Sequence, residues 1–292
     1  MKIGILAYIN ENTAPADAVA RRCEDLGFES IWLPEHPIMS ASFRPPQTKV
    51  SEEAYQDRAG DWYARIPDPF VLLTAAAAAT SRIRIATGIC LVPEHEPITL
   101  AKTVATLDHY SGGRLLFGIG AGGIPEVSKI MRVDFRRRWQ VTGEYINAMK
   151  ELWTADESRF EGQFIRFPPV RCFPKPRQKP HPPIHVGAGG ITRSYLRALK
   201  NTVAFGDGWA PLAIAPKQLV QDLNTLRELC VQAGRDFNKI EISIFFPVEM
   251  NDARETIRAY EAAGAHRLVF NLWSPAVNDP ALEDIARRYV GP

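Results

Sequence analysis

Cysteine is scarce, with four residues in 292, at positions 23, 90, 172 and 230. No two stand in a CxxC spacing, and nothing beside them completes a Cys/His ligand set, which argues against a zinc site or a thioredoxin-type pair. Isolated cysteines behave as small apolar residues, and Cys23 and Cys230 are read as core. Long hydrophobic runs are missing too. The longest unbroken one, around Ala75–Ala79, is far too short to span a bilayer. The N-terminal MKIGILAYINENTAP has one short apolar run and no small-residue cleavage site after it, so the expectation is a reduced, soluble, cytoplasmic protein.

An excess of charge is also absent. Lysine plus arginine number 35 and aspartate plus glutamate 33, a net charge of +2. This balance gives no electrostatic reason to expect nucleic acid or a membrane surface as partner. The densest basic cluster, Arg136-Arg137-Arg138, opens a helical pattern and reads as a solvated first turn. Hydrophobic residues at 46% and charged residues at 23% are those of a soluble globular chain, which excludes disorder, collagen-like fibres and disulfide miniproteins. The length suits one large domain over 1–292, since α/β barrels reach about 250 residues.

What is present is a strict alternation of strand-like and helix-like segments. Lys2–Tyr8, Ser30–Leu33, Arg82–Cys90, Leu115–Ile119, Pro183–Val186, Ile240–Phe246 and Arg267–Leu272 read as strands, with a short sixth strand bracketed by Val203–Phe205 and Trp209–Leu212. Helical spacing follows each, for example Ala14–Leu26 ending at Gly27 and Pro97–Tyr110 closed by Gly112-Gly113. Trp139, Ile146, Met149 and Trp153 share one helical face. Pro280–Tyr289 is the last helix. Eight strands and eight helices in order are the pattern of an α/β fold, a (β/α)8 TIM barrel. A doubly wound open sheet shares the alternation. Two long connections, Pro34–Pro67 after strand 2 and Phe160–Pro182 before strand 5, read as excursions from the barrel's C-terminal rim.

In a barrel, residues at the strand ends build the site. Glu35-His36 is the sharpest pair: an imidazole there can act as acid or base, tuned by its neighbouring carboxylate, or the pair can simply be solvated between Pro34 and Pro37. Gly118–Gly123 fits GxGxxG, but Pro125 interrupts and Glu144 sits inside a helix, so the dinucleotide reading is rejected. What survives is a small-residue path that lets a flat ring approach the backbone. Gly187-Ala188-Gly189-Gly190, between a strand and a helix, is either an anion site with donors from Thr192, Arg193 and Ser194 or an ordinary tight turn. Glu94-His95-Glu96 offers no second histidine four residues on, the remaining histidines lack ligand spacing, and no metal is expected. No GxSxG elbow supports nucleophilic hydrolysis.

Four separate pieces, in order, carry a resemblance: FESIWLPEH (28–36), IRIATGICLVPEHEPITLAKTVATLDHYSGGRLLFGIGAG (83–122), YINAMKELWT with FEGQFIRF (145–167), and PPIHVGAGG with GDGWAPL (182–190 and 206–212). Together they resemble the bacterial luciferase-like family of flavin- and deazaflavin-dependent oxidoreductases, from Met1 to about Tyr289. The resemblance implies a (β/α)8 barrel binding FMN or coenzyme F420 at its C-terminal rim. It implies catalytic roles for His36 and Glu35 beside the ring. It also implies a bulge at Gly88-Ile89, often a non-prolyl cis peptide that backs the ring. Cofactor contacts are implied for Tyr8, Gly88, Ile89, Cys90, Gly120 and Ala121. Gly187, Ala188, Gly189, Trp209, Ala210 and Pro211 are implied to hold the phosphate end.

In one respect the sequence departs from the family: some deazaflavin-dependent dehydrogenases carry a glutamate in a GxGE pattern where Ala121 stands. Another group, with His36, Tyr8 or the substrate as candidates, then supplies any proton. The short chain, the PEH string and FPKPxQxPHPP are similar to the deazaflavin branch, so F420-linked hydride transfer on a small organic substrate is the leading expectation. An FMN-dependent two-component monooxygenase fed by a separate reductase is the alternative, and a non-catalytic flavin-binding barrel is the reading from another class. The resemblance further implies a homodimer. Phe43, Tyr55, Trp62 and Tyr63 in the first long loop suggest an organic, partly apolar ligand or simply pack that loop.

Overall fold

A computed structural model describes residues 1–41, 43, 62–188, 195–273 and 275–291. Eight parallel strands close into a barrel: β1 (Lys2–Tyr8), β2 (Ser30–Leu33), β3 (Arg84–Thr87), β4 (Leu115–Gly120), β5 (Ile184–Ala188), β6 (Gly208–Pro211), β7 (Glu241–Phe245) and β8 (Arg267–Trp273). Closure is explicit in the register. Lys2 to Tyr8 pair with Arg267 to Trp273, and Ile85 and Ala86 of β3 pair with Leu115 and Leu116 of β4. Helices follow the strands, and Gly27 and Gly112 end two of them with φ of +82° and +78°, as their positions in the sequence required.

Each strand alternates between two apolar surroundings. One side faces outward into the layer between strands and helices, where Ile5, Ile31, Ile85, Phe117 and Val186 are buried. The other faces the barrel axis, where Leu6, Trp32, Ala86, Leu116, Phe245 and Val269 form a separate cluster. Below that cluster the interior is charged. Arg267, with no exposed surface, donates from Nε and a terminal nitrogen to the two oxygens of Glu29, both at 2.7 Å, and to Glu241 at 3.0 Å and Ser243 Oγ at 2.8 Å. Burial works against this guanidinium charge, but the bonds to Glu29 and Glu241 outweigh it and raise its pKa. Two paired carboxylates make the charge tolerable in the interior.

The structure corrects three expectations. Val203–Phe205 does not border a strand but ends the helix Tyr195–Phe205. The third strand is split: β3 stops at Thr87, and Cys90–Leu91 resumes beside Ile119 and Gly120. The connection 160–182 does not rise from the C-terminal rim. It carries an antiparallel hairpin, Ser158–Glu161 with Arg166–Val170, and then crosses the opposite end. There Gln178 bonds Arg84 and the Leu115 carbonyl at the starts of β3 and β4, and Asp108 in the last turn of the helix Pro97–Tyr110. The reason is topological, because a segment leaving a helix for the next parallel strand must begin at the N-terminal end.

Candidate active site at the barrel mouth

The inward positions at the top of the barrel are Tyr8, Gly88, Gly118, Gly120, Gly187 and Ala210. The Gly88–Ile89 peptide is cis. The bulge turns the Ile89 side chain into the mouth, where it rests on three glycines. A methyl group on Gly187 would stand 2.6 Å from Ile89 Cδ1, one on Gly120 would overlap the same atom, and one on Gly118 would overlap the Thr87 carbonyl oxygen. The glycine path in β4 is therefore accounted for by close packing under Ile89, and the platform exposed to the mouth is Ile89 itself. Thr87 Oγ1 ties the strands below it by donating to the Gly118 carbonyl at 2.7 Å.

Glu35 and His36 leave β2 in different directions. Glu35 is 5% exposed and turns outward. One carboxylate oxygen accepts the Leu91 N–H at 2.5 Å, and the other lies 2.8 Å from His95 Nε2. Burial opposes the His95 charge, but the bond to Glu35 outweighs it and raises the pKa. Cys90 lies within reach of the same carboxylate and is fully buried, and burial pushes its thiol well up. Glu35, Cys90 and His95 have ligand atoms within 4.8 Å of one another, yet both Glu35 oxygens are already engaged. The hydrogen-bond partner of Glu35 is thus His95, sixty residues away, while its charge still bears on the neighbouring His36.

His36 packs edge-on against Tyr63, ring centroids 4.9 Å apart, and its Nδ1 is buried without a hydrogen-bond partner among the described residues. Burial pulls its pKa down to about 4 against the opposing charge of Glu35, so the imidazole is neutral at pH 7. Beyond Tyr63 the aromatic wall continues. Trp62 stacks on Tyr63 at 3.9 Å and meets Tyr8 edge-on at 4.9 Å, and Tyr8 stacks on Trp273 at 3.9 Å. Phe43 joins at 5.8 Å from Tyr63. Tyr55 lies outside the described residues.

Other expected contacts divide. Ala210 faces the barrel axis, whereas Trp209 is fully buried in the outer layer, edge-on to Tyr195 at 6.0 Å. The Trp209 and Cys90 side chains point away from the mouth, a consequence of strand alternation that their motif strings did not reveal. Ala121 and Pro211 are buried at the rim. Ala188 ends β5, and Gly189, Thr192, Arg193 and Ser194 lie outside the described residues.

The string Glu94-His95-Glu96 serves three separate purposes. Glu96 caps the helix Pro97–Tyr110 by accepting the Ile98 and Thr99 N–H groups. His95 pairs with Glu35. Glu94 is 7% exposed and has a carboxylate oxygen with no partner among the described residues. The only signal in the sequence was its place five residues after Ile89 of the bulge. Arg138 is also less solvated than its run suggested. It donates to the Gly122 carbonyl at 3.0 Å and lies over Phe135, 3.8 Å from the ring centroid.

A family model described as luciferase-like monooxygenase matches residues 2–285. An uncharacterized protein of Mycobacterium tuberculosis is 36% identical over 238 residues, 81% of this chain and 80% of its own. An F420-dependent glucose-6-phosphate dehydrogenase of Amycolatopsis mediterranei is 28% identical over 197 residues, 65% of this chain and 52% of that protein. The solved structure of an F420-dependent secondary alcohol dehydrogenase with an F420–acetone adduct matches with a TM-score of 0.76 at 21% identity. That match covers 99% of this chain and 98% of the other, and it shows the shared fold. Among the described residues, no helix is long and apolar enough to cross a membrane.

Proposed function

The chain belongs to the luciferase-like monooxygenase family, and from that premise we infer that this flavin- or F420-dependent oxidoreductase uses coenzyme F420 for hydride transfer with a small organic substrate. The observation that carries the reading is the pairing of the Ile89 platform with a neutral His36 at the ends of adjacent strands. A flat ring needs an apolar floor, and Ile89 provides one. It also needs polar groups that are not already satisfied, and His36 Nδ1 is buried without a partner among the described residues. These features fit a deazaflavin. Ile89 would lie under the ring, His36 beside it, and the β5 end at Gly187–Ala188 towards its phosphate.

A bound deazaflavin supplies a carbon that carries hydride, with little reactivity toward dioxygen. The protein contributes surroundings. Ile89 and the barrel cluster beneath it exclude water from one face. His36, uncharged at neutral pH, can hold or accept a proton at Nδ1 without repelling an incoming hydride donor. The wall of Tyr8, Trp62, Tyr63 and Trp273 bounds an apolar space that suits an organic substrate. The 28% identity to an F420-dependent dehydrogenase supports this choice of cofactor.

The reading includes a homodimer. Apart from Thr74 the helix Pro69–Ala79 is apolar, and Val71 on its outward face is 68% exposed. A helix apolar all round is ordinarily buried, and a second copy of the chain would cover it. The cofactor test is a parallel titration of the purified protein with F420, FMN and reduced FMN. Binding of F420 in preference to both flavins is expected, and preference for reduced FMN would sink the hydride-transfer reading in favour of oxygen activation.

A further inference from the structure

Glu94 occupies a position that packing alone does not explain. It ends a short turn, Val92–Glu94, that follows the split third strand. Its side chain passes under the loop that leaves β4. A methyl group on Gly122 would stand 2.6 Å from Glu94 Oε1 and 3.8 Å from Ser128 Oγ. Gly122 has φ of +76°, so glycine is required twice over, by backbone conformation and by the close approach of the carboxyl. Glu94 Oε2 and Ser128 Oγ are both buried and both lack a hydrogen-bond partner among the described residues.

Two buried, unsatisfied polar side chains around one glycine are uncommon in a packed protein and call for an explanation. A structural carboxylate would be paired, as Glu29 and Glu241 are with Arg267. Here the nearest cation does not serve. His95 is engaged by Glu35, and Arg138 donates to the Gly122 and Phe135 carbonyls instead. The charged groups that bear on Glu94 are Glu35, which opposes its ionisation, and His95, which favours it. The helix Pro125–Ile130 contributes Ser128, a neutral hydroxyl near the same Gly122. Burial, with the Glu35 charge adding to it, raises the Glu94 pKa to about 7. The loop above it joins β4 to that helix, so the carboxyl lies beside the rim that holds the Ile89 platform.

We propose that Glu94 is an acid–base group of the rim site, entering the reaction protonated and exchanging that proton with the bound reactants. This rests on the hydride-transfer reading above. When hydride adds to an unsaturated substrate, the atom left with an extra electron pair takes a proton. The Glu94 O–H bond breaks, that proton completes the two-electron reduction, and the carboxylate is reprotonated from water. In the oxidative direction the carboxylate accepts the proton released as hydride departs.

The test needs no substrate. Dissociation constants for F420 are measured for the wild type, Glu94→Gln and Glu94→Asp between about pH 5 and about pH 9. The cofactor's own ionisations are common to all three proteins and cancel in the comparison. Closing the site over Glu94 removes more water from it, so binding favours the protonated carboxyl. A shift of one pKa unit on binding makes the wild-type constant about tenfold weaker above the inflection than below it. The isosteric Glu94→Gln is expected to bind F420 with no such inflection, and Glu94→Asp to retain a displaced one. Superimposable wild-type and Glu94→Gln profiles would overturn the assignment while leaving the cofactor reading intact. Failure of every form to bind F420 would overturn that reading and the role of Glu94 with it.

Discussion

Glu35 Oε1 lies 2.8 Å from His95 Nε2, and this ion pair joins the end of β2 to the turn that follows the split third strand. The second Glu35 oxygen accepts the Leu91 N–H, so one carboxylate anchors the segment on the far side of the bulge at two points. The platform at Ile89 is held between Thr87 below and this anchor above. Glu35 therefore braces the segment that follows the Ile89 bulge.

Replacing Glu35 by alanine removes both anchors and leaves His95 and the Leu91 N–H unsatisfied in the outer layer. A loss of about 3 kcal/mol is expected in denaturant unfolding at pH 6, as for one-sided removal from a buried pair. The His95 pKa, raised in the wild type, should fall. Because a raised histidine pKa stabilises below the unfolded value of 6.5 and that gain fades as pH rises through the folded value, the cost should shrink in alkaline solution. An equal cost at both ends of that range would remove the ion pair from the explanation.

His36 runs the other way. Its folded pKa of about 4 lies below the usual 6.5, so the unfolded chain takes up a proton first as pH falls. Stability is complete above 6.5 and declines towards 4, by about 2 kcal/mol after allowance for partial exposure. In His36→Asn this decline should be absent while the fold persists, and turnover should drop by a factor of about 100 or more. Retained activity in that variant would take His36 out of the mechanism.

Glu94 has its own stability signature. A carboxyl raised to about 7 costs nothing while protonated and is penalised once ionised. Glu94→Gln should match the wild type near pH 4 and exceed it at pH 8 by about 2 kcal/mol. Thermal or urea unfolding at the two pH values measures this directly, and no gain at pH 8 would contradict a buried, unpaired carboxyl.

The glycines under Ile89 can be separated from those that are merely in the loop. Gly118→Ala places a methyl group on the Thr87 carbonyl, which is rigid backbone, and should cost about 3 kcal/mol. Gly123→Ala meets nothing within 4 Å and should fall within about 0.5 kcal/mol of the wild type. Similar losses for both would mean that the glycine path serves conformational freedom alone.

For the outer helix, Val71→Asp puts a charge on a face that a second copy would cover. Light scattering should show the dimer mass replaced by the monomer mass, with the circular dichroism unchanged. A monomeric wild type would dispose of the dimer directly.

Some of this was already legible in the chain. Alternating strand and helix periods, glycines at helix ends such as Gly27, and β-branched runs such as RIRIA determine local structure by short-range sterics and burial, so the order of elements followed from sequence; the barrel followed from the family resemblance and was distinguished from an open sheet only by the pairing of β1 with β8. The phrases at 28–36 and 83–122 also marked the rim and the bulge at Gly88-Ile89. Which way each side chain points was decided by tertiary structure. Strand alternation sent Trp209 and Cys90 outward, and the bulge brought Ile89 inward onto glycines from two other strands. The partner of Glu35 stood sixty residues away, and Glu94 acquired its character only from the loop and helix that close over it. A carboxyl's environment is set by desolvation and by charges across the fold, and these distances are created when the barrel closes.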